Sequence, residues 1–103
     1  MIINNQSTRT IETEFPDYDD RLSFPDGWID CSWHNDVCPS YERDFGSTTF
    51  KIFCDYKKIM RVDGAENRFI VCINIDDAVN FDCIGQFDTL EDALNFVNQK
   101  VPA

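Results

Sequence analysis

Hydrophobic and polar residues alternate through the second half of the chain, as they do in β-strands, whose successive side chains point to opposite faces. The stretch RFIVCINI, residues 68–75, is apolar on both faces, which is typical of a central strand. The stretch STTFKIFCDY, residues 47–56, is rich in β-branched and aromatic side chains, and its alternation places Asp55 on the polar face. The strands predicted in this half are residues 47–56, 57–62, 68–75 and 81–87.

A helical period replaces the alternation near the C-terminus. Apolar side chains recur at i, i+3, i+4 and i+7 and therefore share one face: Leu90, Ala93, Leu94 and Val97. Asp88 is the expected N-cap, and Glu91 three residues later completes a capping box. We therefore predict a helix that begins after Asp88 and ends near Lys100.

The first half of the chain is less regular. Residues 9–15, RTIETEF, alternate well enough for a strand, and residues 28–33, WIDCSW, predict a second short one. Residues 16–27 and 34–40 are rich in Pro, Asp, Asn and Gly, which favour turns and loops. Strands joined by short turns pair antiparallel. We predict a single α+β domain over residues 1–103, an antiparallel β-meander of about four to five strands with one C-terminal helix packed on one face.

The chain carries a net charge of −10, with 19 acidic residues against 9 basic ones. Such a surface repels nucleic acid and anionic membranes and favours basic partners, so we expect neither direct nucleic-acid binding nor membrane binding. The one basic segment is residues 51–70. Its cations alternate with apolar residues and are interpreted as the solvent face of paired strands: Lys51, Lys57, Lys58, Arg61 and Arg68.

The five cysteines indicate free thiols in a reducing compartment, because their number is odd and no C-x-x-C motif is present. The N-terminal MIINNQSTRT has no apolar run of the length that a signal peptide needs, and no later stretch is long enough to span a bilayer. We therefore expect a cytoplasmic protein.

Metal and thiol chemistry have one candidate cluster, Cys31, His34 and Cys38. The spacing of Cys31 and His34 suits zinc, but no second ligand pair follows, and a strand over residues 28–33 would point these two side chains to opposite faces. No protease, oxidoreductase, calcium-loop or phosphate-loop signature is present. We expect no catalytic residue, no metal and no cofactor, and a small metal- or thiol-dependent enzyme remains the third hypothesis.

Acidic side chains are the most distinctive feature of the sequence. In a strand, Glu12 and Glu14 would point the same way, about 6–7 Å apart. Duplex DNA carries one charge per about 3.4 Å on each strand, so spaced carboxylates on a rigid scaffold can occupy a phosphate-binding groove. The other interpretation is a solvated face that only keeps the protein soluble. The predicted partner-binding residues are Glu12, Glu14, Asp17, Asp19, Asp20, Asp30, Asp36, Asp76, Asp77 and Asp82.

In its size, negative charge and lack of a catalytic motif, the chain resembles small acidic inhibitor proteins of phages and mobile elements, of the anti-CRISPR or anti-restriction type. The resemblance is to a class of proteins, and no residue role carries over. It implies a viral DNA mimic that acts in the host-cell cytosol and occupies the basic groove of a nucleic-acid-binding protein or complex. The alternative is a host interaction or regulatory module that uses the aromatic loop at residues 28–41, with Trp28 and Trp33 as anchors.

Overall fold

The computed structural model describes residues 9–76 and 78–101. Over these residues the chain forms a five-stranded sheet in the order β1-β2-β3-β4-β5, and every strand pairs antiparallel with the next. The predicted α+β meander with a C-terminal helix is therefore confirmed. The elements are α1 (Ile11–Glu14), β1 (Ile29–Asp30), β2 (Ser40–Asp44), β3 (Thr48–Cys54), β4 (Phe69–Ile75), β5 (Asp82–Phe87) and α2 (Leu90–Lys100).

Strands β3 and β4 form the centre of the sheet and supply most of the core. Ile52 lies opposite Val71, and Cys54 lies opposite Phe69, so the apolar side chains of both strands meet on one face. These four side chains and Phe50 are buried. The two-sided apolar pattern of residues 68–75 was thus a correct signal for a central strand.

Helix α2 packs across this apolar face, as its periodic stripe predicts. Ala93 and Val97 are buried in the core, and the ring of Phe96 lies 5.0 Å from that of Phe87 on β5. The predicted N-cap at Asp88 is wrong: Thr89 is the cap, because its extended backbone lets its hydroxyl accept from the Asp92 N–H at 3.1 Å.

The strand predicted over residues 9–15 is wrong, because this segment contains the short helix α1. Thr10 and Thr13 form a capping box, in which the Thr13 N–H donates to the Thr10 hydroxyl and the Thr10 N–H donates to the Thr13 hydroxyl. Two hydroxyls at this spacing satisfy amides that a helix start leaves without partners, so the helical turn wins over the weak alternation. Of the strand predicted over 28–33, only Ile29–Asp30 forms.

The strand predicted over residues 57–62 is also wrong, since the described chain has no strand there. Four amides of this segment bond to the side chains of Asp19 and Asp55 instead of to a neighbouring strand: those of Lys57, Lys58, Arg61 and Val62. Its basic residues are therefore not the solvent face of a sheet; only Lys51 of the basic set lies within a strand, where it pairs with Glu42 at 3.4 Å. Strand β2 is a further difference from the sequence-based prediction, which assigns Ser40 to a loop and no element to residues 41–44.

Candidate functional site

Three of the predicted partner-binding acids line one open cleft beside helix α1. The cleft has a volume of about 810 Å³, and its walls include the carboxylates of Glu12, Asp19 and Asp20. Pro16 follows the end of α1, and a proline cannot continue a helix, so the chain turns there into the irregular segment that carries the two aspartates. Tyr41 of β2 also lines the cleft.

Asp19 is bound by the backbone of a distant segment. Its Oδ1 accepts from the Lys57 N–H at 2.7 Å, and its Oδ2 accepts from the Lys58 N–H at 2.9 Å. These two hydrogen bonds lower the pKa of Asp19, since they favour the charged carboxylate. The side chain therefore fastens residues 57 and 58 to the N-terminal segment.

Asp17 holds the same segment at a second point. It accepts from the Tyr56 hydroxyl at 2.8 Å and from Nη2 of Arg61 at 3.0 Å. The Tyr56 hydrogen bond is the largest cause of its lowered pKa, followed by the bond from Arg61. The Arg61 guanidinium also lies over the Tyr56 ring, 3.6 Å from the ring centroid.

Asp20 pairs with Arg68 at 2.8 Å, just before β4. Partial burial by itself raises the pKa of Asp20, but hydrogen bonds from Arg68 and from the Arg21 N–H outweigh it and the pKa is lowered. Arg68 also donates to the Tyr18 hydroxyl at 3.0 Å and, through Nε, to the Asp55 carbonyl at 2.9 Å. Arg68 thus joins Asp20, Asp55 and Tyr18 in one hydrogen-bonded network.

The prediction for Asp55, a further member of this network, is wrong. It is fully buried instead of lying on a polar face. Its carboxylate accepts three backbone N–H groups, those of Tyr56 at 2.7 Å, Arg61 at 2.8 Å and Val62 at 2.9 Å. The chain of residues 56–62 therefore wraps around one carboxylate. The signal in the sequence was an aspartate after an apolar strand, a position where the side chain often bonds the following backbone.

Glu14 and Asp30 bind α1 to the neighbouring loop. Asp30 accepts from the Ile11 N–H at 2.9 Å and from the Ser32 N–H at 3.0 Å. Glu14 Oε1 lies 2.7 Å from Nδ1 of His34, and the His34 hydrogen bond is the largest cause of the lowered pKa of Glu14. The expectation that Glu14 and Glu12 point the same way is wrong, because they lie on a helix instead of a strand.

The remaining predicted acids are positioned differently. The carboxylates of Glu12, Asp36, Asp76 and Asp82 make no hydrogen bond or ion pair within residues 9–76 and 78–101, and all but the partly buried Asp36 are exposed. Asp77 lies outside the described residues. Asp76 follows the end of β4 and Asp82 begins β5, so these two carboxylates lie at the same end of the sheet.

The aromatic loop is partly used by the protein's own packing. The Trp28 ring lies 5.4 Å from that of Phe24, which stacks on Tyr41 at 3.9 Å, and Trp28 packs against the core. Trp33 contacts His34 at a ring distance of 4.1 Å. Both tryptophans are half-buried, so neither presents its full ring to solvent.

A second cavity, of about 390 Å³, opens on the sheet face that is remote from α2. Val37 stands at its edge with 52% of its surface exposed, and Asp36 is the only charged side chain among the lining residues. The lining is mostly apolar and consists of Asn35, Asp36, Val37, Cys38, Phe53, Val62, Ile70 and Cys72. Nothing in the sequence pattern indicates this groove, because its lining combines residues 35–38, Val62 and side chains of strands β3 and β4 that are distant in the sequence.

The thiols near the histidine are poorly suited to nucleophilic chemistry. Burial raises the pKa of Cys31 to about 11 and that of Cys38 to about 12, so both stay protonated at neutral pH. Within the described residues, no three His, Cys, Asp or Glu side chains come together as a metal site.

Neither helix of the described chain has the length and apolar character that crossing a bilayer requires. No known protein family, curated protein or solved structure matches the chain.

Proposed function

We propose that the protein is a non-catalytic, acidic binding protein that docks on a basic nucleic-acid-binding protein or complex and blocks its nucleic-acid groove, in the manner of anti-CRISPR or anti-restriction inhibitors. The observation that carries the proposal is the placement of acids in the wall of the 810 Å³ cleft, where hydrogen bonds and an ion pair hold Asp19 and Asp20. We place its action in the host-cell cytosol, in keeping with five cysteines that are all free thiols.

The acids of the cleft are positioned before any partner arrives. Asp19 and Asp20 are held by hydrogen bonds, and their lowered pKa values keep them charged at neutral pH. Each carboxylate offers about four acceptor positions, so both retain capacity for an incoming Lys or Arg. Glu12 in the same wall makes no internal bond in the described chain and is the most accessible acceptor.

A second contact point is available at the end of the sheet, where Asp76 and Asp82 are exposed and without internal partners in the described chain. Together with a net charge of −10, these carboxylates attract a basic surface over a long range. Such complementarity raises association rates and makes binding strongly dependent on salt.

The alternative, a host interaction or regulatory module, is favoured by the 390 Å³ groove. Half-exposed Val37 stands at an apolar depression that could take a partner's side chain. In that case the aromatic loop would contribute Val37 and the groove, because Trp28 and Trp33 are already half-buried. Binding of this kind depends weakly on salt.

The test is capture of proteins from a nuclease-treated host lysate on the immobilised chain, at about 0.05 M and about 0.5 M salt. The proposal predicts captured proteins that bind nucleic acid themselves and that are released by high salt and by added duplex DNA. The double variant Glu12→Gln, Asp82→Asn should capture markedly less.

Two matched variants separate the hypotheses. Asp63→Asn removes one exposed charge outside the proposed contact set and should leave capture unchanged. Val37→Ser alters the groove without changing charge and should also leave it unchanged. Capture that persists in high salt and with duplex DNA, but is lost in Val37→Ser, would instead establish the interaction module.

A further inference from the structure

Two cysteines face each other across strands β4 and β5. Cys72 lies opposite Cys83, and the register shifts between Val71 and Cys72, so Ile84 is an extra residue in a β-bulge. Without the bulge, Cys83 would lie opposite Ile73 and would share the face that α2 covers. The bulge therefore brings both thiols to the same face of the sheet, the one opposite α2.

The separation of the two residues suits a disulfide. Directly opposed residues of antiparallel strands have Cα atoms about 4.5–5.5 Å apart. Disulfides span Cα distances of about 4.4–6.8 Å. The Cys83 thiol also lies near enough to Cys72 to help raise the pKa of the Cys72 thiol. Bond formation thus requires side-chain rotation and little movement of the backbone.

The two thiols differ in access. Cys83 is exposed, whereas Cys72 is only 6% exposed. Burial, followed by the proximity of Cys83, raises the pKa of Cys72 to about 12. A soluble reagent therefore reaches Cys83 first. Cys38 and Cys54 are buried, and Cys31 is half-buried and lies outside the β-strands.

We propose that Cys72 and Cys83 are a redox modification site, which low-molecular-weight disulfides such as glutathione disulfide convert reversibly to an intramolecular disulfide. The Cys83 sulfur attacks one sulfur of glutathione disulfide, forms a mixed disulfide and releases one glutathione. The Cys72 sulfur then attacks the Cys83 sulfur and releases the second glutathione. The protein loses two electrons and two thiol protons, and the reagent gains them as two glutathione thiols.

The disulfide would tie the edge strand β5 to the central strand β4. Closing the loop between residues 72 and 83 restricts the unfolded chain and stabilises the folded one. Cys72 also lines the 390 Å³ groove, so oxidation changes one wall of that groove. The site does not depend on the proposed inhibitory function.

The experiment treats the reduced full-length chain with glutathione disulfide at neutral pH and follows intact mass after acid quenching. The expected sequence is a transient adduct of one glutathione and then a product that lacks two hydrogens, with residues 72 and 83 linked in the peptide map. The melting temperature should rise by about 10 °C and return when dithiothreitol is added. The conversion of adduct to disulfide should accelerate about tenfold per pH unit, because Cys72 must ionise.

The variant Cys83→Ser should form neither the adduct nor the disulfide, and its exposed position makes a folding defect unexpected. Cys31→Ser is the matched control and should react like the unaltered chain. An intramolecular disulfide in Cys83→Ser, a glutathione adduct on Cys83 that never resolves, or covalent dimers as the main product would each overturn the proposal.

Discussion

The central sheet with helix α2 and the segment of residues 55–62 are neighbours in the fold but are held by different interactions. Apolar side chains such as Phe50 and Val71 hold the sheet and helix together by burial. Carboxylates hold the segment: Asp55 and Asp19 together accept five of its backbone N–H groups. The comparison teaches that part of the unusual acidity of this chain serves as internal scaffolding, whatever else these carboxylates bind.

The largest loss of stability should come from a substitution in the core of the sheet. Phe50 of β3 is fully buried in the core that the sheet shares with α2, so Phe50→Ala leaves a cavity and should lower the free energy of unfolding by about 4 kcal/mol. Urea denaturation measures the change. Val79→Ala, at a position 95% exposed, is the control and should change little. A loss below about 1 kcal/mol in Phe50→Ala would mean that apolar burial does not dominate this region.

Asp55→Ala should have the next largest effect, because it leaves three backbone N–H groups of residues 56–62 without their acceptor. We expect a loss of about 3 kcal/mol in the free energy of unfolding. Asp63→Ala removes an exposed acid from the following loop and should cost less than about 0.5 kcal/mol. Equal losses in the two variants would remove the distinction between scaffolding and surface acids.

The two regions also differ in how far sequence predicts them. Strand β4 and helix α2 follow from local periodicity, because burial on one face imposes a period of 2 or 3.6 on the residues themselves. Residues 57–62, KKIMRV, mix basic and apolar side chains and precede a turn signal, which favours a strand when the sequence is read locally. Their amides nevertheless bond to Asp19, which lies 38 residues away from Lys57, and no local pattern carries that information.

Strand β2 shows the opposite error: it is a strand that the sequence pattern does not predict. Its residues, SYERD, contain little apolar surface, so the pattern did not predict a strand. Pairing with β3 makes it one, since five register pairs join the two strands. The candidate site could be predicted only in part: acids were the correct residue type to single out, but which of them the fold uses internally depends on contacts between distant segments.

A smaller effect tests the start of helix α2. Thr89→Ala removes the hydroxyl that accepts from the Asp92 N–H, and it should cost about 1 kcal/mol of unfolding free energy. Asp88→Ala should cost clearly less, since that carboxylate makes no hydrogen bond in the described chain and contributes only through the helix dipole. A larger loss of unfolding free energy in Asp88→Ala than in Thr89→Ala would show that Asp88 is the N-cap, as the sequence predicts.

The smallest expected effect is the pH dependence of local stability in residues 57–62. The folded-state pKa of Asp17 is lowered by Tyr56 and Arg61, and that of Asp19 by the amides of Lys57 and Lys58. A depressed carboxyl pKa contributes stability that is present above the unfolded value near 4 and is lost as the pH falls through the folded value. Hydrogen exchange between about pH 5 and pH 2 should therefore show residues 57–62 losing protection before β4 does. Simultaneous loss in both regions would contradict this order.

Amide hydrogen exchange at neutral pH in two variants of the same cleft tests the central claim most directly. Asp19→Ala removes an acid bonded to the backbone, whereas Glu12→Ala removes one that makes no bond in the described chain. The account predicts that the Lys57 and Lys58 amides exchange about tenfold faster in Asp19→Ala and unchanged in Glu12→Ala. Equal protection of these amides in both variants would show that the carboxylates do not hold the segment in place.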